Sequence, residues 1–151
     1  MKWATATEER VTHIAQHLRK EDRREVLASH GLAGEQCVMN SWRASAVVRC
    51  ICLDDQTPVA VCGVVEAEHG GVIWLLGTDR LFETAADTRQ FIRGGKIWVN
   101  GLIDDWGQLH NWVYNKNQRS MVWLRSLGFT IHPASPMGPF AELFCYVERR
   151  A

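Results

Sequence analysis

Residues 117–129, NQRSMVWLRSLGF, spell a complete helix with its start, its buried face and its stop. Asn117 is a capping residue, because its side-chain oxygen can accept from an N–H of the first turn. Ser120, Trp123, Leu124 and Leu127 recur at helical spacing and so share one face. Gly128 tolerates the left-handed backbone that ends a helix. Phe129 then enters a core as a strand begins.

Working outward, Leu109–Tyr114 reads as the strand before this helix. Phe129–His132 and Phe140–Glu148 read as two strands after it, joined by a loop containing Pro and Gly. Upstream, Phe91, Ile92, Gly95, Trp98, Val99, Leu102, Ile103 and Trp106 recur with a helical period. Gly94-Gly95 inside that helix admits two readings, a close approach to the sheet or a kink. Ala46–Leu53, Pro58–Glu68 and Val72–Leu76 form an antiparallel meander with turns at Asp54–Thr57 and His69–Gly71. The run Val72-Ile73-Trp74-Leu75-Leu76 is apolar throughout, which suits a central strand buried on both faces. Before residue 46 the chain reads as helical. Thr7 caps a helix with Val11, Ile14, Ala15 and Leu18 inward. The charged run Lys20–Glu25 leads to Val26 and Leu27 and a stop at Gly31, and a third helix covers Glu35–Ser45. The expectation is one α+β domain over residues 1–151, with helices in 1–45 and a mostly antiparallel sheet with flanking helices in 46–148.

The chain has 151 residues, 17 basic and 17 acidic side chains, and no net charge. That balance excludes nucleic-acid binding by bulk charge. No apolar run is long enough to span a bilayer, and the first residues lack the apolar core of a secretory signal. The expectation is therefore a soluble, intracellular protein with no membrane partner. The five Cys are odd in number and form no C-x-x-C pair, which argues against a disulfide framework. Cys50 and Cys52 share a strand face and Cys62 lies on the next strand. They read as small buried hydrophobes or as a thiolate cluster. His13 and His17 sit one turn apart with no fixed third ligand, so no metal site is assigned.

The pattern N-x-x-S-x-x-W-L-x-x-x-G-F resembles the strand–helix–strand segment of the GCN5-related N-acetyltransferase (GNAT) superfamily, and the element order over residues 46–148 is similar. The resemblance implies a GNAT-like mixed sheet and acetyl-CoA as a substrate. If CoA is bound, it implies that Leu75, Leu76, Arg80, Arg89, Asn117 and Ser120 line the cofactor side. Glu66 is then the candidate base for an amine, and Tyr114 the one nearby phenol. Glu66 and Glu68 also read simply as exposed hairpin carboxylates.

Two departures weigh against standard chemistry. The family follows its fourth strand with a glycine-rich diphosphate loop, Q/R-x-x-G-x-G/A. Residues 77–87 here read GTDRLFETAAD, with no glycine after Gly77 and with Asp79, Glu83 and Asp87. Acids there repel a diphosphate. Many members also carry a proton-donating Tyr where this chain has Leu124.

A narrower resemblance fits both the match and the losses. Trp74–Arg80, Arg89–Trp106, Asn111-Trp112-Val113-Tyr114 and Asn117–Gly128 are similar to segments of the degenerate GNAT-like internal virion (core) proteins of short-tailed bacteriophages. It implies a role in virion assembly or genome delivery, other virion or host proteins as partners, and a place in the host cytoplasm or the virion. The chain carries no G-x-S-x-G, P-loop or G-x-G-x-x-G. Its seven Trp read either as core filler or as a binding surface near Trp74, Trp112 and Tyr114.

Overall fold

The computed structural model describes all 151 residues. One seven-stranded sheet runs through the molecule in the order β1-β2-β3-β4-β5-β7-β6. Its strands are β1 (Lys2–Ala4), β2 (Val47–Cys52), β3 (Pro58–Glu66), β4 (Gly71–Gly77), β5 (Gln108–Tyr114), β6 (Thr130–Met137) and β7 (Glu142–Arg150). Every pairing is antiparallel except β4 with β5. Helices α1 (Glu8–Gln16), α2 (Lys20–His30) and α3 (Gly34–Ala44) precede β2, while α4 (Ala85–Trp106) and α5 (Gln118–Ser126) flank β5. No helix is long and apolar enough to cross a membrane.

The sheet separates two main cores. On one face Val11, Ile14 and Val38 of α1 and α3 meet Cys50, Cys52, Val61 and Leu76. On the other, Val99, Leu102 and Ile103 of α4 and Leu124 of α5 meet Val64, Ile73, Leu109 and Val147. The central position of β4 explains its uninterrupted apolar run. Thr7 caps α1 by accepting from the Arg10 N–H, and Gly128 holds φ +85° just past α5.

Four expectations need correction. The strand β1 is absent from the reading of residues 1–45. Three residues carry too little alternation to register, and β1 forms only because it pairs with Cys50–Cys52 at the sheet edge. The strand β6 runs through Pro133 and Pro136 to Met137. An edge strand can lack those N–H donors, and a register shift between Ile131 and Ala134 absorbs the irregularity. The following strand starts at Glu142, leaving Phe140 exposed in the turn. Leu27 is exposed as well, and Asp22 takes its place on the buried face of α2.

The two open questions about side-chain grouping also close. Cys62 pairs with Arg49 while Cys50 pairs with Val61, so Cys62 points to the opposite face from Cys50 and Cys52. Burial pushes the Cys50 thiol up to about 12, as befits an apolar side chain rather than a metal ligand. The Gly94-Gly95 pair is a close approach. A Cβ on Gly94 would overlap the Trp3 indole, and one on Gly95 would touch Trp123 at 3.4 Å. Gly101, on the same helix, has nothing within 4 Å of its Cβ position. Gly101→Ala is therefore expected to stabilise the protein by about 0.5–1 kcal/mol through helix propensity. Gly94→Ala is expected to destabilise it, because Trp3 must move. Thermal melts of the two variants should shift in opposite directions.

Candidate functional site

The site begins where β4 and β5 part. They pair in parallel only at Gly71–Leu109 and Val72–His110. The Asn111 side chain then enters the gap. Its Nδ2 donates to the Ile73 carbonyl at 2.6 Å, and its Oδ1 accepts from the Trp112 N–H at 2.6 Å. Past this wedge the strands diverge and the sheet is open.

Strand alternation decides which main-chain groups face the gap. The Thr78 N–H donates to Val59 on β3 at 2.8 Å. Residues Thr78, Leu76 and Trp74 therefore bond toward β3, and Gly77, Leu75 and Ile73 turn the other edge toward the gap. Ile73 is met by Asn111. Gly77 is met by α2: its N–H donates to Asp22 Oδ2 at 2.8 Å, and its carbonyl accepts from the Arg19 N–H at 2.9 Å. Leu75 remains, with its N–H and C=O opening on the cleft.

The helix α2 also reaches the other side of the gap. One turn after Asp22, Glu25 Oε1 accepts from the Tyr114 N–H at 2.7 Å, and its Oε2 accepts from Asn117 Nδ2 at 3.3 Å. Asn117 simultaneously caps α5, its Oδ1 accepting from the Ser120 N–H at 3.4 Å. Burial pushes the Glu25 carboxyl up to about 7, with nearby Asp22 adding to the rise. The Tyr114 N–H, the Asn117 amide and the Arg19 charge pull the other way and do not offset the desolvation.

A chamber of about 270 Å³ passes through the opening. Glu25, Trp74 and Trp112 line it on the α2/α3 face, and Trp98, Trp123 and Leu124 line it on the α4/α5 face. A groove of about 550 Å³ continues along α4 and α5, sharing Leu75, Ser120 and Trp123 with the chamber. Its wall carries Phe91 and Phe82, with the Arg19 and Arg119 guanidinium groups 5.4 and 5.1 Å from the Phe82 ring. No tryptophan is fully buried. Four of the seven line this passage, and three of those, Trp74, Trp98 and Trp123, also pack against the cores.

This order of strands, opened between β4 and β5 with helices on both faces, decides the fold. It is that of the GCN5-related N-acetyltransferases. Among solved structures, an acetyltransferase from Agrobacterium tumefaciens superposes with a TM-score of 0.70 over 99% of this chain and 90% of its own, at 9% identity. A GCN5-related N-acetyltransferase from Kribbella flavida gives 0.69 over 99% and 97%, at 14% identity. A Bacillus subtilis acetyltransferase, solved in complex with CoA, gives 0.63 over 99% and 97%, at 7% identity. No family model matches the chain, and no curated protein matches it in sequence. At these identities the likeness establishes the fold alone.

The acetyltransferase fold tests each candidate residue by position. Leu75, Leu76 and Ser120 line the chamber, and Asn117 supports it through Glu25. Tyr114 contributes its main-chain N–H. Its phenol turns away, donating to Glu142 Oε2 at 2.9 Å and packing on Phe144. Glu66 is exposed and pairs with Gly71, at the closed end of the β4–β5 gap, so it is not brought to the opening. Arg80 is held by Glu83 at 3.1 Å and by the Thr57 hydroxyl at 3.4 Å, toward the β2–β3 turn. Arg89 is exposed on α4 and lines neither the chamber nor the groove.

The groove is an apolar slot beside an open strand edge. The diphosphate end differs from the glycine-rich pattern. Residues Asp79–Phe82 form a 3₁₀ turn that buries Leu81, and Thr84 already caps α4 by accepting from the Asp87 N–H at 3.0 Å. Arg119, exposed on α5, supplies positive charge on the groove wall.

The sequence reading missed Asp22, Glu25 and Arg19. The charged run of α2 resembles a solvated face. Its one cue was spacing: Asp22 lies four residues before the inward Val26, and Arg19 three before Asp22.

Proposed function

We propose that the protein transfers an acyl group from acyl-CoA to an amine, the two substrates meeting through the gap in the sheet. One observation supports this above others. Glu25 enters the gap from one face, the Leu75 N–H opens at its edge, and an apolar groove arrives from the other face. In this reading the amine nitrogen attacks the thioester carbonyl carbon. The Leu75 N–H donates to the carbonyl oxygen as it gains negative charge. Glu25 takes a proton from the nitrogen, for which a carboxyl near neutrality is well matched. The C–S bond then breaks, and the thiolate takes its proton from water, since Leu124 has none to give.

A second reading is favoured by the diphosphate end. With no glycine cradle, and with Asp22 occupying the Gly77 N–H, the chain is then an acetyltransferase scaffold without standard acetyl-CoA chemistry. It would serve a short-tailed phage in virion assembly or genome delivery, through other virion or host proteins. Calorimetric titration with acetyl-CoA separates the two. Micromolar binding is expected from the first reading. No binding at millimolar ligand, together with the chain's presence in purified virions, would replace it with the second.

A further inference from the structure

The α2/α3 half of the chamber has a composition of its own. Glu25 is the one carboxylate among its lining residues, no Lys or Arg lines it, and its one imidazole, His30, is engaged at Nδ1 by the Ser29 hydroxyl at 2.6 Å. Each Glu25 oxygen accepts a single hydrogen bond from the protein, so lone pairs remain for a ligand donor. Around it stand Trp74, fixed by its Nε1 donating to Ser45 Oγ at 2.8 Å, and Trp112, 5.2 Å from the Tyr146 ring. Trp112 is 40% exposed, so this wall is open at the surface. An indole face attracts a cation, and more strongly once water is excluded.

The volume limits the ligand. The whole chamber, both halves together, is about 270 Å³, just under the usual range for small-molecule pockets, roughly 300–1,000 Å³, so its α2/α3 half admits only a small ligand. The charge limits it too. One carboxylate neutralises one ammonium, and a second cation would stand among indoles without a partner, which desolvation penalises.

We propose that this chamber binds a small organic monocation, with its ammonium on Glu25 and an apolar or aromatic body against Trp74 and Trp112, in preference to polyamines. The identification of this cation as the acyl acceptor rests on the acyl-transfer reading; its binding does not.

The test is calorimetric titration of the full chain, without acyl donor, by phenethylammonium, by the neutral analogue 2-phenylethanol, and by spermidine. Phenethylammonium is expected to bind about tenfold more tightly than the alcohol and more tightly than spermidine. In Glu25→Gln that advantage over the alcohol should vanish. Trp112→Ala, at an exposed position, should keep the wild-type melting curve and weaken phenethylammonium by about tenfold. Equal binding of ammonium and alcohol overturns the proposal. So does an advantage that survives Glu25→Gln, tighter binding of spermidine, or no saturation at tens of millimolar. If phenethylammonium binds in this pattern and acetyl-CoA does not, the acyl-transfer reading falls and the cation site stands. The reverse result removes the cation site alone.

Discussion

Asp22→Ala is expected to destabilise the protein by about 3–5 kcal/mol, read as a lower denaturant midpoint. Asp22 and Arg19 are among the few buried charged residues, at 2% and 6% exposure. Their contact is a two-pronged one, with Nη2 to Oδ1 at 2.8 Å and Nε to Oδ2 at 3.2 Å. The same carboxylate accepts from the Gly77 N–H. Removing it strands a buried guanidinium and a buried main-chain donor together, and each is costly alone. Adding Arg19→Met to Asp22→Ala should recover most of the loss, since the uncompensated charge is then gone. The single variant has a second consequence. It frees the Arg19 guanidinium on the wall of the groove along α4 and α5, and the Gly77 N–H beside it, so on the acyl-transfer reading affinity for CoA is expected to rise severalfold as stability falls. A structural pair with no bearing on the groove would lower stability and leave CoA affinity unchanged.

What was legible in the sequence was local. Residues 117–129 announced helix, cap and stop, because a capping Asn, a helical stripe and a left-handed Gly act within a few residues of themselves. The apolar run Val72–Leu76 marked the central strand for the same reason, since burial on both faces leaves a continuous signature. Residues 77–87 were also legible in a negative sense: the missing glycines became a 3₁₀ turn with a self-capped helix behind it. The site was legible only in its strand edge and α5 face: Leu75, Leu76 and Ser120 line the chamber, whereas its charged residues were not foreseen. Arg80 and Arg89 sit at the right places along the chain, yet Arg80 is drawn to Glu83 and the β2–β3 turn, and Arg89 turns to solvent. Glu66 ends a strand that runs the other way from the opening. The residues that do enter the gap come from α2, whose run KEDRRE looks like any solvated face. Asp22 is buried and Glu25 half-buried only because two strand edges, more than 50 residues downstream in the case of Gly77, offer N–H groups with no neighbouring strand. A demand created by topology has no signature in the segment that meets it.

Glu25→Gln carries the largest expected effect on activity. A positioned general base contributes roughly 10²–10⁴ in rate, so kcat/KM for acyl transfer to an amine should fall by a factor in that range. Gln keeps a carbonyl oxygen for the Tyr114 N–H, which separates loss of the base from loss of the fold. The wild-type rate should rise with pH through about 7, where Glu25 ionises, and the variant should lose that limb. Stability must move the other way. The carboxyl's ordinary value is 4.5 and its folded value about 7, raised by burial and by Asp22 against the pull of the Tyr114 N–H, Asn117 and Arg19. Between those values the folded state holds a proton that the unfolded state has released. Unfolding free energy attributable to Glu25 therefore declines as pH rises from 4.5 to about 7 and is level above it. With the half-buried carboxylate partly screened, the decline is on the order of 2 kcal/mol. Urea titrations of wild type and Glu25→Gln at pH 5 and pH 8 should show it as a gap that grows in favour of the variant at the higher pH. The same ionisation thus arms the site and weakens the fold, which is the expected signature of a carboxylate placed for chemistry rather than for packing. A gap that does not change with pH would mean that Glu25 is already charged across the range, and its role as a base near neutrality would fall with it.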